Sequence, residues 1–334
     1  MKDDKLQTSL LSWYSANKRD LPWRRTRNPY HIWLAEIMLQ QTRVAAVIPY
    51  YERFLKQFPT VEALAAAPEQ ELLAAWSGLG YYSRARNLQK AAKKVQDAGA
   101  FPGDYESIKQ LPGIGDYTAA AVVSIAFAKP HAVLDGNVLR VLSRISAEPG
   151  DIQAPLTRRR LQQLANDLLD RKRPGDFNQA LMELGATVCL PRQPRCPLCP
   201  LEGSCEARLR GLQYEIPIRS RTRTPERIEK RLLVIERRGK LLLWQRPTGS
   251  RRLAGFWELP EPEQLPHARI IQTIGVFRHT IVNTRFDVQV VRATITKVSA
   301  GFYWMDTNCL HSFPLSTTSK KALACLQKQD ATAD

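Results

Sequence analysis

Four cysteines near the middle of the chain are spaced closely enough to bind one metal centre. Cys189, Cys196, Cys199 and Cys205 lie within seventeen residues and follow the pattern C-x6-C-x2-C-x5-C. Thiolates at such spacing hold iron–sulfur clusters or structural zinc. Zinc sites usually pair two short C-x2-C knuckles, whereas this segment has one knuckle with longer arms, which favours a 4Fe–4S cluster. Two disulfides or four buried thiols are the plainer interpretation, but nothing else in the sequence indicates the oxidising compartment that disulfides need.

Two carboxylates lie in surroundings that suit acid–base chemistry. Glu36 lies in the apolar segment IWLAEIMLQQT, which predicts partial burial and a raised carboxyl pKa; a surface glutamate is the plainer alternative. Asp135 ends the apolar run HAVLD, where an aspartate can cap a helix beginning near Val138, face a substrate, or do both. A protonated acid beside an ionised carboxylate is the pair that cleaves glycosidic bonds through an oxocarbenium-like transition state.

The segment LPGIGDYTAAAVVSIAF begins with a glycine-bounded turn and continues as an apolar helix. Gly113 and Gly115 leave backbone N–H groups accessible at a helix N-terminus, where a phosphate can bind. This pattern is typical of a helix–hairpin–helix motif that grips the DNA backbone without reading its sequence. Alone it can be a structural turn, but VLDGNVLRVLSR follows soon after Tyr117 and makes the pattern more specific.

Two kinds of periodicity divide the chain. Apolar residues recur at spacings of three and four through NPYHIWLAEIMLQQTRVAAVIPYYERFLKQF and later segments, and no convincing β alternation precedes residue 210. Runs such as RLLVIERRGKLLLWQRP and VFRHTIVNTRFDVQVVRATITKV then alternate, and a helix is expected near 319–329. The sequence therefore predicts an all-α domain over 1–215, a polar, proline-bounded linker over 216–226 and an α+β domain over 227–334.

The chain is strongly basic, with a formal net charge of +17 and a pI of about 9.8. The residues before 226 and those after it are both basic, so nucleic acid is the expected partner. A merely soluble basic protein is the alternative. No apolar run reaches the roughly 18 residues of a membrane span, and the first residues do not resemble a signal peptide. We therefore expect a soluble, cytoplasmic, nucleoid-associated monomer.

Together, these motifs resemble those of MutY-type adenine DNA glycosylases of the endonuclease III superfamily. The resemblance runs from about Asp20 to Glu206 and is carried by RDLPWR, WLAEIMLQQTRV, GLGYYSRARNL, LPGIGDYTAAAV, VLDGNVLRVLSR, FNQALMELGATVC and the four-cysteine loop. It continues more weakly through LLLWQRP and LAGFWELP. It implies a multidomain protein in which an all-α helix–hairpin–helix glycosylase domain with a 4Fe–4S loop at 189–205 precedes an α+β Nudix-like domain.

The resemblance also implies roles for the acid–base residues. Glu36 matches the glutamate that protonates the flipped adenine at N7. Asp135 matches the aspartate that stabilises the sugar cation or bonds to it transiently. Asn137 matches the residue that positions these groups and the attacking water. Bifunctional relatives have a lysine after G-x-G-x, whereas this chain has Tyr117. Tyr117 has no amine, which implies a monofunctional enzyme, and its hydroxyl is available to hydrogen-bond Glu36.

Four further residues match positions that contact the DNA bases in the family. Arg24 and Gln179 match positions that line the adenine pocket. Gln41 and Tyr81 match the pair that wedges into the stack near the opposite base. Flipping a base costs a few kcal/mol of unstacking, so such wedges are functionally reasonable.

The second domain departs from the family in the loop that recognises 8-oxoguanine opposite the adenine. The family has Phe-Ser-His after FRHT, whereas this chain has Ile281, Val282 and Asn283. Val282 lacks the serine hydroxyl and Asn283 replaces the imidazole, so weaker recognition of 8-oxoguanine is expected. After GFWELP, the segment EPEQLPHARI has too few carboxylates to hold magnesium, so no pyrophosphatase activity is expected.

Three functions are consistent with the sequence. The first is a monofunctional glycosylase that removes adenine opposite 8-oxoguanine or guanine from double-stranded DNA. The second is a mismatch glycosylase with another target such as thymine opposite guanine, since a tyrosine at the hairpin also fits thymine-excising relatives. The third is a non-enzymatic iron–sulfur DNA-binding protein, which would make Glu36 and Asp135 coincidental. The C-terminal domain and the surroundings of Glu36 favour adenine.

Overall fold

The computed structural model describes residues 2–220, 226–247, 249–250, 253–281 and 283–330. These residues form two compact units. The first unit contains residues 2–66 and 87–220, and the second contains residues 67–86 together with the described residues from 226 onward. A helical segment from the first third of the chain therefore packs with the C-terminal part.

Helices account for most of the chain before residue 220. In chain order the α-helices are α1 Lys2–Asn17, α2 Pro29–Leu39, α3 Val44–Gln57, α4 Val61–Ala66, α5 Glu69–Trp76, α6 Ser83–Asp97, α7 Tyr105–Lys109, α8 Asp116–Phe127, α9 Gly136–Ile145, α10 Pro155–Leu168, α11 Pro174–Thr187, α12 Glu206–Leu209 and α13 Thr317–Asp330. Short 3-10 helices lie at Pro22–Arg24, Cys196–Leu198, Glu202–Ser204, Pro262–Gln264 and Thr307–Ser312.

Helix α8 lies at the centre of the first unit. Every residue from 118 to 125 is buried, as expected for a helix that is apolar on all sides. Helices α2, α7 and α11 pack against it, and α9 packs against α11. Polar caps fix where two of these helices begin, because the side chains of Asn28 and Asp135 accept backbone N–H groups from the first turns of α2 and α9.

Helices α7 and α8 form the predicted helix–hairpin–helix. Gly113 in the turn between them has a φ of +78°, and a Cβ there would lie 2.6 Å from Cβ of Asn87. Glycine is therefore required at this position for both its conformation and its size. Gly115 caps α8, and a Cβ on it would meet open space.

The second unit contains two sheets. Its strands are β1 Glu226–Val234, β2 Glu236–Arg237, β3 Lys240–Gln245, β4 Trp257–Glu258, β5 Arg269–Ile281, β6 Thr284–Thr294 and β7 Phe302–Asp306. One sheet has the order β1-β6-β5, in which β1 is parallel and β5 antiparallel to β6. In the other, β3 pairs antiparallel with β2, β4 and β7.

Alternating side chains of β1 enter two separate apolar cores. Leu232 and Val234 pack with residues of β3, β6 and α13, whereas Leu233 packs in a second cluster with Leu242 and Val291. The prediction of an all-α part followed by an α+β part is confirmed, including the helix expected near 319–329. No helix in the described part of the chain is long and apolar enough to cross a membrane.

Candidate active site

A cleft of about 660 Å3 opens in the first unit, lined by residues of α2, α8, α9 and α11. It brings together the predicted catalytic residues, both predicted adenine-pocket residues and one of the two predicted wedge residues. Those in its lining are Arg24, Glu36, Gln41, Tyr117, Asp135, Asn137 and Gln179. These residues lie far apart in the sequence, between positions 24 and 179. The fold rather than any one motif therefore assembles the cleft.

Glu36 is buried in this cleft with one close partner. Its side chain is on α2 and the residue is 6% exposed. The hydroxyl of Tyr117 donates a hydrogen bond to Oε2 of Glu36 at 2.7 Å, as the sequence had suggested. Burial raises the pKa of Glu36 to about 7, and the negative charge of Asp135 adds to this, while the hydrogen bond from Tyr117 opposes it. A substantial fraction of Glu36 is therefore protonated at neutral pH.

Asp135 occupies a different environment. Its Oδ1 accepts the backbone N–H of Val138 at 2.7 Å, and its Oδ2 accepts Nδ2 of Asn137 at 3.1 Å. Burial raises the pKa of Asp135, but these hydrogen bonds favour the ionised form and oppose the rise. The residue caps α9, as one of the sequence-based alternatives predicted, and it also lines the cleft.

Arg140, which the sequence analysis did not single out, holds Asn137 in place. Its Nη2 donates to Oδ1 of Asn137 at 2.8 Å and to the carbonyl of Gly185 at 2.7 Å, and its Nε donates to the carbonyl of Cys189 at 2.8 Å. Hydrogen bonds therefore connect Asp135 through Asn137 and Arg140 to the first cysteine of the four-cysteine loop. The sequence signal is weak, because Arg140 lies on the amphipathic helix α9, where an arginine is usually a solvated side chain.

Glu183 is a second residue that sequence reasoning missed. It lines the cleft and its side chain is fully buried. Burial alone would raise the pKa of Glu183, but hydrogen bonds from Arg19 and Arg24, at 2.7 Å each, lower it to about 2. Glu183 is thus ionised at neutral pH and fixes Arg24 at the cleft. Its only signal in the sequence is a carboxylate within the apolar segment ALMELGA.

The two predicted wedge residues share an uncommon backbone conformation. Gln41 lies just after α2 with a φ of +56°, and Tyr81 lies between α5 and α6 with a φ of +47°. Non-glycine residues with positive φ are uncommon and cluster at functional sites. Tyr81 is also 41% exposed and has the guanidinium of Arg84 above its ring at 5.4 Å. Each residue is therefore presented at the surface of its own unit.

The predicted lesion loop lies at the tip of the hairpin formed by β5 and β6. Ile281 ends β5 and pairs with Thr284, and Asn283 is exposed. The carbonyl of Asn283 accepts the backbone N–H of Glu226 at 3.1 Å. Val282 lies outside the described residues.

All four predicted cluster cysteines line one cavity beside α9 and are free thiols. Burial raises the pKa of Cys199 to about 12, so a metal centre would displace its proton. In the described part of the chain, no three His, Cys, Asp or Glu side chains come close enough to hold a single ion.

Polar groups around this cavity also fit a sulfur-rich occupant. Arg144 is 2% exposed, and its Nη1 donates to Sγ of Cys189 at 3.2 Å and to the carbonyl of Leu190 at 2.7 Å. A guanidinium donates to thiolate and sulfide, so the residues present fit an iron–sulfur cluster.

Comparison with known proteins places this chain in a family. Residues 34–167 match the model of the HhH-GPD superfamily base excision DNA repair protein. The chain is 37% identical to the human adenine DNA glycosylase, over 96% of this chain and 74% of the human one. It is 40% identical to the mouse adenine DNA glycosylase, over 80% of this chain and 63% of that protein.

A solved structure agrees with the sequence relatives. A thermostable thymine-DNA glycosylase superimposes with a TM-score of 0.57 and 32% identity, over 63% of this chain and 97% of that chain. The human relative, in contrast, is matched over nearly the whole of this chain. The chain belongs to the adenine DNA glycosylase family.

Proposed function

We propose that this protein is a monofunctional DNA glycosylase that hydrolyses the N-glycosidic bond of adenine mispaired with 8-oxoguanine or guanine in double-stranded DNA. The observation that carries the proposal is the pair of buried carboxylates in one cleft. Glu36 has a pKa raised to about 7, while Asp135 accepts two hydrogen bonds that favour its ionised form. Paired carboxylates with different protonation states are what glycosidic bond cleavage requires.

In the proposed reaction, protonated Glu36 donates its proton to N7 of the extruded adenine. The bond between C1′ and N9 then breaks, and its electron pair leaves with the neutral base. The positive charge that develops on the sugar faces the Asp135 carboxylate, which Asn137 orients. Water adds to C1′ and gives its proton to the Glu36 carboxylate, so the acid is restored and an abasic site remains.

Two pocket residues and two wedge residues would select and hold the base. Arg24, fixed by Glu183, lines the adenine pocket together with Gln179. Gln41 and Tyr81 would enter the base stack and offset the cost of flipping. The backbone N–H groups of the hairpin at Gly113 and Gly115 would bind the DNA backbone at the start of α8.

We further propose that Cys189, Cys196, Cys199 and Cys205 hold a 4Fe–4S cluster. When bound, the cluster supplies a rigid centre that cross-links the loop rather than a group that reacts with DNA. The loop also carries Arg192 and Arg195, which the cluster would fix in position to face phosphates.

Single-turnover base release tests the proposal on three duplexes, containing adenine opposite 8-oxoguanine, adenine opposite guanine and thymine opposite guanine. Wild type should release adenine and leave an intact abasic strand until alkali is added. Glu36→Gln and Asp135→Asn should each reduce release by about 10²–10⁴-fold while DNA binding survives. Glu52→Gln, a change to an exposed carboxylate on α3, is the matched control. Preferred release of thymine, strand cleavage by the pure enzyme, or near-normal release by Glu36→Gln would contradict the assignment.

A further inference from the structure

Two arginines at the mouth of the cleft have no assigned role. Arg158 lies in the first turn of α10, and Arg219 lies in the segment that follows α12. Both line the cleft, and both are exposed. Neither guanidinium forms an ion pair or hydrogen bond with another described residue. The neighbouring Arg160 differs, because it pairs with Glu148 at 2.7 Å. Two exposed cations therefore face a cleft that contains the catalytic carboxylates.

The fold fixes the backbone on both sides of Arg219. The carbonyl of Ile216 accepts Nε of the buried Arg144 at 2.8 Å, and the carbonyl of Ile218 accepts the N–H of Ile152 at 3.1 Å. Residue 220 is held by Asp151, whose carboxylate accepts the N–H of Ser220 at 3.2 Å. Residues 216–220, which composition assigns to a linker, are thus attached to the first unit.

These attachments leave the guanidinium of Arg219 available. None of these hydrogen bonds uses the Arg219 side chain. The positive charge of Arg219 lowers the pKa of Asp151, but the Asp151 carboxylate accepts its hydrogen bonds from Ser220. Because its backbone is anchored, Arg219 loses less backbone freedom when its guanidinium binds an anion.

The anion that must occupy the cleft mouth is a DNA phosphate. A nucleotide extruded into the cleft carries a phosphate on its 5′ side and another on its 3′ side, and both remain with the strand at the mouth. Guanidinium groups bind phosphate oxygens through charge-assisted, often bidentate hydrogen bonds. The carboxylate of Asp135, whose ionised form its hydrogen bonds favour, would repel these phosphates unless cations at the mouth compensated.

We propose that Arg158 and Arg219 bind the two phosphates that flank the extruded nucleotide, and that they thereby hold its sugar against Asp135. The inference rests on the proposed function and adds positioning residues to it. A merely electrostatic role, in which the arginines only offset the charge of the cleft carboxylates, is the alternative that the test must separate.

The test uses the full-length protein and duplexes that contain a non-cleavable adenine analogue. One phosphate next to the analogue, on either its 5′ or its 3′ side, is replaced by a neutral methylphosphonate. Binding is measured for wild type and for Arg158→Ala, Arg219→Ala and Arg159→Ala. Arg159 is an exposed neighbour on α10 that does not line the cleft, so it is the matched control. Arg219→Gln serves as a second variant that keeps a polar side chain.

Arg158→Ala and Arg219→Ala, the two cleft-mouth variants, should each bind the all-phosphate duplex roughly ten-fold more weakly than wild type. In each, the slope of log binding constant against log salt concentration should become shallower by about one. Neutralising one flanking phosphate should weaken wild type and Arg159→Ala but have little further effect on the variant that lacks its partner. If the losses of affinity from the arginine substitution and from the methylphosphonate were additive in both cleft-mouth variants, the proposal would be overturned. So would a shift in the pH profile of base release without any coupling to the methylphosphonates. In either case release of adenine by wild type would stand, so the proposed function would be unaffected.

Discussion

Tyr117 influences base release through its hydrogen bond to Glu36. That bond favours the ionised carboxylate and opposes the effect of burial on the Glu36 pKa. Tyr117→Phe removes the donor, so the pKa of Glu36 should rise further above 7. Because the protonated acid is the active form, the alkaline fall in the rate of adenine release should move to higher pH. Single-turnover rates across neutral and alkaline pH measure this, and an unchanged or lowered alkaline limb would show that Tyr117 does not act on the acid.

The same buried carboxyl should make the protein less stable at alkaline pH. The folded pKa of Glu36 is about 7 against an ordinary value of 4.5, so the folded state holds the proton more tightly. This contribution is fully present below about pH 4.5 and is lost as pH rises through 7. At pH 8 the lost stability is about 3 kcal/mol by the free energy per pKa unit.

Glu36→Gln should therefore unfold at a higher temperature than wild type at pH 8, with little difference near pH 5. Scanning calorimetry at the two pH values measures the change, and Glu52→Gln serves as the surface control. If the unfolding temperatures of the variant and wild type differed equally at both pH values, the ionisation of Glu36 would not affect stability.

Local sequence predicted the pKa shift of one buried carboxyl and not that of the other. The apolar neighbours of Glu36 on α2 were enough to predict burial and a raised pKa. Glu183 also lies among apolar residues, but its behaviour is opposite because Arg19, 164 positions away, bonds to it. A partner at that distance leaves no local signal, so burial can be predicted from a helix pattern while the direction of a pKa shift cannot.

Helices α9 and α11 approach each other closely at Gly185. A Cβ on Gly185 would lie 2.7 Å from Cβ and 3.1 Å from Cα of Asn137, and backbone cannot yield as a side-chain tip can. Gly185→Ala should therefore displace Asn137, lower stability by about 1–3 kcal/mol and slow adenine release. Denaturant unfolding and single-turnover rates test this. Gly103→Ala, whose Cβ would lie 3.5 Å from Phe127, should change neither, and a fully active Gly185→Ala would contradict the expected displacement.

The four-cysteine loop should contain iron as isolated. The purified protein is expected to be brown, with broad visible absorbance and about four irons per chain. Cys199→Ser should lose iron and colour, whereas Cys309→Ser, at an exposed thiol outside the loop, should retain both. A colourless protein with stoichiometric zinc after anaerobic purification would instead support a zinc site.

The division of the whole chain shows where sequence reasoning stops. Composition predicted a boundary near 216–226, but residues 67–86 belong to the same unit as the C-terminal strands. The contacts responsible join distant positions, for example the hydroxyl of Ser77 with the carbonyl of Leu315 at 3.1 Å. Element types follow from local periodicity, whereas the assignment of an amphipathic helix to one unit depends on long-range contacts of this kind.

Discrimination between 8-oxoguanine and guanine should depend on the second unit, at the tip of the β5–β6 hairpin. The sequence there offers neither the serine hydroxyl nor the imidazole that the family resemblance leads us to expect, although Asn283 is exposed. A hydrogen bond to a neutral group contributes about 0.5–1.5 kcal/mol, so the loss of one or two predicts roughly ten-fold weaker preference for 8-oxoguanine with excision intact.

Restoring Phe-Ser-His at 281–283 should recover that preference. Binding to duplexes with 8-oxoguanine or guanine opposite a non-cleavable adenine analogue measures it. Ile281→Phe alone restores no hydrogen-bonding group, so it should leave the preference unchanged and serves as the control. If the triple variant discriminates no better than wild type, then Asn283 and backbone groups already compensate or this hairpin does not contact the lesion. A variant that gains preference only when the serine and histidine are both present would instead assign lesion recognition to their side chains.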